Sequence, residues 1–172
     1  MKIKFLAVIA LMALMALSLS SCDGFEKTDG APSPSNTVMI SADSKVEEAK
    51  INEPFEIEVG IGHSGEIYAT ATLEISAPDC TIILPDGSSV EDRYVLEIPD
   101  YRDEKYAATP DKINFFETYS FIYTGTGDAG WIHFYLKGVT ETKGGIEGHF
   151  ESIYYSVSGE TIHLTKTPPE KS

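Results

Sequence analysis

The chain has 172 residues, 42% of them hydrophobic, with 13 basic and 27 acidic side chains and a formal net charge of −14. That length fits one domain with a short appendage, and nine Tyr, eight Phe and one Trp supply large apolar groups for a core. The acidity excludes a phosphate-backbone partner, because nucleic-acid binding rests on Lys and Arg neutralising phosphates, and the chain has no basic run.

Lys2 and Lys4 form a positive start, followed by the uninterrupted apolar run FLAVIALMALMAL at residues 5–17. A bilayer-spanning helix needs about 20 apolar residues, so this shorter run reads as a signal peptide and not as an anchor helix. The run leads into Leu19-Ser20-Ser21-Cys22, an aliphatic residue and two small ones before a cysteine. That tetrad resembles the bacterial lipobox. The resemblance implies cleavage of residues 1–21, a diacylglyceryl thioether on Cys22, and further acylation of the new N-terminus by a chain such as palmitate. Several acyl chains hold a protein on a membrane stably, whereas one does so only marginally. The expected location is the bacterial cell envelope, outside the cytoplasm.

Residues 22–36 (CDGFEKTDGAPSPSN) are rich in Gly, Pro, Ser and charge, the composition of an extended tether. A lipidated Cys22 cannot form a disulfide, so Cys80, the other cysteine, stays single. It opens the apolar run CTIIL and reads as a small buried hydrophobe. The core must therefore hold the domain without a staple.

From Thr37 the hydrophobic period is two. In PFEIEVGIG, Phe55, Ile57, Val59 and Ile61 share one face and Glu56 and Glu58 the other. In IYATATLEIS, Ile67, Ala69, Ala71, Leu73 and Ile75 alternate with Tyr68, Thr70, Thr72, Glu74 and Ser76. Further strands are expected at TVMISA, CTIIL, RYVLEI, INFFETYSFIY, GWIHFYLKG, HFESIYYSV and ETIHLTK. Turn signals separate them at His63-Ser64-Gly65, Pro85-Asp86-Gly87, Gly144-Gly145 and Ser158-Gly159. SKVEEAK has a helical composition but is short enough to be a strand edge. Strands at this spacing without intervening helices point to an all-β, antiparallel sandwich over residues 37–172.

Gly125, Gly127 and Gly130 spell G-x-G-x-x-G, the pattern of a dinucleotide-binding loop. Such a loop needs a helix after it, whose N-terminus holds the pyrophosphate. Here Trp131-Ile132-His133-Phe134-Tyr135-Leu136 follows, which alternates as a strand. A nucleotide cofactor is therefore not expected, and the glycines are expected to shape a strand–strand turn with positive φ. Asp128-Ala129-Gly130-Trp131-Ile132-His133-Phe134 resembles the D-x-G-x-Y-x-C start of strand F in immunoglobulin-like domains. Ile132 stands at the corner-tyrosine position and Phe134 at the cysteine position, both inward in that family. The resemblance implies an immunoglobulin-like sandwich of about 7–9 strands, with FFETYSFIY as strand E. The missing corner tyrosine, disulfide and strand-C tryptophan exclude an antibody-type domain.

Three groups of residues could carry chemistry. Trp131, His133, Tyr135 and Lys137 form the outward phase of the expected F strand, and exposed aromatics suit a glycan or an envelope-protein partner unless a loop such as residues 101–112 covers them. Asp86, Glu91, Asp92, Asp100, Asp103 and Glu104 supply oxygens of the kind calcium takes, without EF-hand spacing, so the bland reading is a solvated surface. His63, His133, His149 and His163 lie on different elements, without the spacing of a zinc site. No G-x-S-x-G elbow is present. The expectation is an envelope lipoprotein whose sandwich is a non-catalytic binding or structural module, with no metal and no cofactor. The alternatives are a carbohydrate-binding or adhesive domain using the Trp131 face, and a hydrolase with a site in its loops.

Overall fold

A computed structural model of the chain describes residues 37–64, 68–109, 112–140 and 146–168. The segments expected as a signal peptide (residues 1–21) and as a tether from Cys22 to residue 36 lie outside the described residues, as do Gly65, Gly144 and Gly145 of the expected turns.

Alternating sequence becomes strand almost throughout. In chain order these are β1 (Thr37–Ser44), β2 (Glu48–Lys50), β3 (Pro54–Ser64), β4 (Tyr68–Ile83) and β5 (Ser89–Ile98). After a 3-10 turn at Glu104–Tyr106 come β6 (Phe115–Tyr123), β7 (Ala129–Thr140), β8 (Ile146–Ser158) and β9 (Thr161–Thr165). There is no α-helix among the described residues. The protein is all-β, with every strand pairing antiparallel and the order β1-β3-β6-β4-β7-β8-β9-β2, β5 lying beside β4. The SKVEEAK segment contributes the short strand β2, paired to β9, rather than a helical turn.

One strand replaces two of those expected. Residues 68–76 and 80–83, from two segments expected as separate strands, both belong to β4, and Ile67 lies outside the described residues. The strand changes partners partway along. Its first half pairs with β7, and Cys80 to Ile83 pair with β6. The β5 ladder breaks register between Ser76 and Thr81, and inside that bulge Asp79 takes φ +69°. Aspartate tolerates the left-handed region better than most residues, and Pro78 beside it has no ladder hydrogen to lose. The bulge lets the sheet fold back on itself, so that β1 comes to lie against β7 and β8.

The core fills the space this fold encloses. Ile57, Val59, Ile61, Leu73, Ile75, Ile82, Phe121, Ile132, Phe134 and Leu136 are each 0% exposed, all on the inward phase of their strands. Phe121 bridges the layers: its ring stacks on Phe55 at 5.7 Å and meets Phe134 edge-on at 6.2 Å. Aromatic pairs in these geometries add roughly 0.5–1.5 kcal/mol beyond the area they bury. Residues 99–109 form a strap over one end of β3. There the Tyr101 hydroxyl donates to the Gly62 carbonyl, the Ala108 amide donates to the His63 carbonyl at 2.8 Å, and Tyr106 meets Phe115 at 4.7 Å.

Two turn signals act through backbone geometry. Gly87 (φ +85°) closes the β4–β5 turn, where the Asp86 carboxylate accepts from the amide and hydroxyl of Ser88. Gly159 (φ +62°) closes the β8–β9 turn. Gly125, Gly127 and Gly130 differ from the expectation, since none of them has positive φ. What excludes a side chain at two of them is crowding. A Cβ on Gly125 would collide with the Asp79 side chain, and one on Gly130 with the ring of Tyr155.

Candidate functional site

The face expected from sequence to carry a ligand or partner is the outward side of β7. Alternation along β7 sends Ile132, Phe134 and Leu136 into the core, and so turns Trp131, His133, Tyr135 and Lys137 to the opposite side. Tyr135 is 39% exposed.

The register with β8 enlarges this row into a platform. Trp131 lies opposite Tyr154, His133 opposite Ser152, Tyr135 opposite Phe150 and Lys137 opposite Gly148. Trp131 and His133 have nearly parallel rings, 10° apart in plane with centroids at 6.2 Å. Tyr154 meets Trp131 edge-on at 5.1 Å, and Phe150 lies 5.2 Å from His133. His133 Nδ1 and Ser152 Oγ share a 2.9 Å hydrogen bond that fixes the imidazole plane. Tyr135 lies over Gly148, where a Cβ would strike its ring. Phe150, at 56% exposure, is the most exposed large hydrophobic residue described. Phe150 and Tyr154 were not singled out from sequence; the period of two along β8 marks them, since Ile153 and Tyr155 are its buried phase.

Toward β4 and β5 the platform becomes polar. Glu74 pairs with Tyr135 in register, and its carboxylate accepts from Arg93 Nε at 2.9 Å. On the other side is a shallow depression of about 370 Å³ lined by Trp131, His133, Phe150, Glu151, Ser152 and Lys166. Lys166 is also ion-paired to Asp43 at 2.6 Å. Contacts of the strap run to β3 and to Phe115.

The remaining candidates are dispersed. Hydrogen bonds from the Ser88 hydroxyl and then its amide hold the exposed Asp86 carboxyl below its ordinary range. Glu91 accepts from the Thr81 hydroxyl at 3.0 Å, and Asp92 sits in the left-handed region at φ +58°. Among the described residues no three His, Cys, Asp or Glu side chains come together as metal ligands. Of the histidines, His63 is buried with its ring 5.1 Å from Tyr101, and desolvation holds it below the usual imidazole range. His149 is exposed, and His163 lies 3.2 Å from Glu48. They form no cluster.

Cys80 is 1% exposed and a free thiol. Burial, reinforced by the charges of Asp79 and Asp92, pushes its pKa up to about 12. The thiolate is the nucleophile, so this cysteine packs and does not react. The glycine-rich segment is a strand connection between β6 and β7, held from both sides. Tyr123 donates its hydroxyl to the Gly127 carbonyl, and the Thr124 and Gly125 amides both donate to Asp79 O at 2.9 and 3.1 Å. With two of its amides turned to Asp79 and a strand after it, the segment lacks the helix N-terminus that gathers phosphate.

No family model matches the chain, and no curated protein matches it. Among solved structures, it is similar to a conjugative transposon lipoprotein from Bacteroides eggerthii DSM 20697. The two share 10% identity over 66% of this chain and 94% of that one, with a TM-score of 0.35.

Proposed function

We propose that this protein is a bacterial envelope lipoprotein, anchored through acylated Cys22 and carrying its all-β domain on a tether formed by residues 22–36. The observation that carries this reading is the order of three elements: a positive start, the apolar run at residues 5–17, and Leu19-Ser20-Ser21-Cys22 immediately afterwards. Among the described residues no helix is long and apolar enough to cross a membrane. Acyl chains on Cys22 would then supply the attachment.

The domain itself is read as an immunoglobulin-like, non-catalytic binding or structural module. Pairing of β3 with β1 and β6, and of β7 with β4 and β8, supports this assignment, since A–B–E and C–F–G are the neighbours of that architecture. The strand β5 would be an added C′ beside C, while β9 and β2 extend the sheet beyond G. Binding is favoured over a purely structural role by the platform on β7 and β8, where the exposed Tyr135 and Phe150 stand with the half-buried Trp131 and Tyr154, because aromatic groups gathered on one accessible face mark interaction sites.

Growth with radiolabelled palmitate tests the anchor. The wild-type chain should take up label and sediment with membranes, and Cys22→Ser should do neither. A Cys22→Ser chain labelled as strongly as wild type would remove the reading.

A further inference from the structure

We propose that the aromatic platform of β7 and β8 binds neutral, pyranose-based glycan chains. This rests on the binding-module reading and is independent of the lipid anchor.

A pyranose offers a face of C–H groups and a rim of hydroxyls. The first packs against the electron-rich face of an aromatic ring, and the second needs hydrogen-bonding side chains around that ring. The platform supplies both. The nearly parallel rings of Trp131 and His133, stacked along β7, stand with Tyr154 and Phe150 beside them and form an aromatic wall on this face. Ser152, Glu151 and Lys166 line the same depression and offer hydroxyl, carboxylate and ammonium groups to sugar hydroxyls. The depression is open and shallow, which suits a chain lying across it more than a small molecule enclosed in it.

Charge narrows the ligand class. In a chain of net charge −14, this face alternates its signs: Arg93 is ion-paired with Glu74, and Lys137 and Glu97 both flank Thr72 in the ladder. Lys166 at the edge is neutralised by Asp43. A polyanion would meet the repulsion of the whole molecule without a local cationic patch to offset it. A basic protein would find its counter-charges elsewhere on the surface, away from this balanced face. An uncharged polyol matches it.

The platform is also set before any ligand arrives. Its rings stand on two neighbouring strands, His133 is held by Ser152, and Tyr135 is seated over Gly148. Binding therefore orders few side chains, which is what lets a small contact area give measurable affinity.

Trp131 is the only tryptophan in the chain, so emission excited beyond the absorption of the nine tyrosines reports on the platform. The acylated protein, extracted in a detergent without sugar headgroups, would be titrated with gluco-, manno-, xylo-, galacto- and N-acetylglucosamine hexasaccharides. At least one should shift the Trp131 emission saturably. The substitutions Phe150→Ala and Tyr135→Ala, at exposed sites that leave the core intact, should each weaken that binding by roughly tenfold. Tyr154→Ala provides a third arm if either variant loses its cooperative melt. A silent Trp131 across the whole panel overturns the proposal, as does a response to heparin alone. A benzoylphenylalanine at position 150 that cross-links an envelope protein, with the panel silent, overturns it too but leaves the binding module standing.

Discussion

The backbone carbonyl of Asp79 accepts the amide of Gly125 at 3.1 Å, and the approach is so close that a Cβ on Gly125 would overlap the Asp79 side chain. This one contact joins the bulge of β4 to the connection between β6 and β7. It also explains a glycine whose motif suggests a cofactor loop.

The three glycines of that motif should therefore respond differently to alanine. Gly125→Ala should destabilise the domain by about 1–3 kcal/mol, as overpacking does. Gly127→Ala should change stability by less than about 0.5 kcal/mol, because the nearest atom to its Cβ would be Asp79 Oδ2 at 3.5 Å. Asp79→Gly in the Gly125→Ala background should restore part of the loss by clearing the space. Urea denaturation of the four proteins, with equal m-values, would measure this. Equal costs at Gly125 and Gly127 would contradict the crowding account.

Phe134 and Phe150 test the strand phases together. Phe134 is 0% exposed and edge-on to Phe121, so Phe134→Ala should cost about 3–5 kcal/mol. Phe150→Ala, at a 56% exposed site, should stay within about 0.5 kcal/mol of wild type. Reversal of that order in thermal or urea melts would mean that β7 or β8 carries the opposite phase.

Cys80 should be silent toward thiol reagents in the folded protein. With its pKa pushed from 9.0 to about 12, its thiolate fraction near pH 8 falls roughly a thousandfold, before any loss of access is counted. Reaction with a thiol-specific chromophore should appear only on unfolding in urea. Rapid labelling under native conditions would show that the bulge beside Asp79 opens readily.

His63 gives the domain a defined acid sensitivity. Its folded pKa lies below 6.5, chiefly through burial, so the unfolded chain binds the proton more readily. The contribution of His63 is therefore full above 6.5 and declines as pH falls from there toward the lowered folded value. Stability measured between pH 8 and pH 5 should fall less steeply in His63→Gln than in wild type. Carboxylates contribute to both curves, and the difference between them isolates His63. Parallel curves would refute the assignment.

Most strands were legible because one face of each meets the core, which writes a period of two into the chain. Residues 54–62 and 130–138 show it plainly. The unity of β4 was not legible, since Pro78 and Asp79 look like a turn and act as a bulge that changes the strand's partner. The reason for glycine at 125 and 130 was equally hidden. It depends on Asp79 and Tyr155, which are distant in sequence and adjacent only after folding. On the platform, Trp131, His133 and Tyr135 could be read from one strand. Phe150 and Tyr154 join them through the β7–β8 register, which no single strand contains.

The anchor at Cys22 is the central claim, and intact-mass analysis of the membrane-extracted protein addresses it most directly. The mature chain should begin at Cys22 and be heavier than the residue 22–172 polypeptide by a diacylglyceryl group, with or without an additional N-acyl chain. A chain cut at another residue and carrying no acyl mass would contradict it.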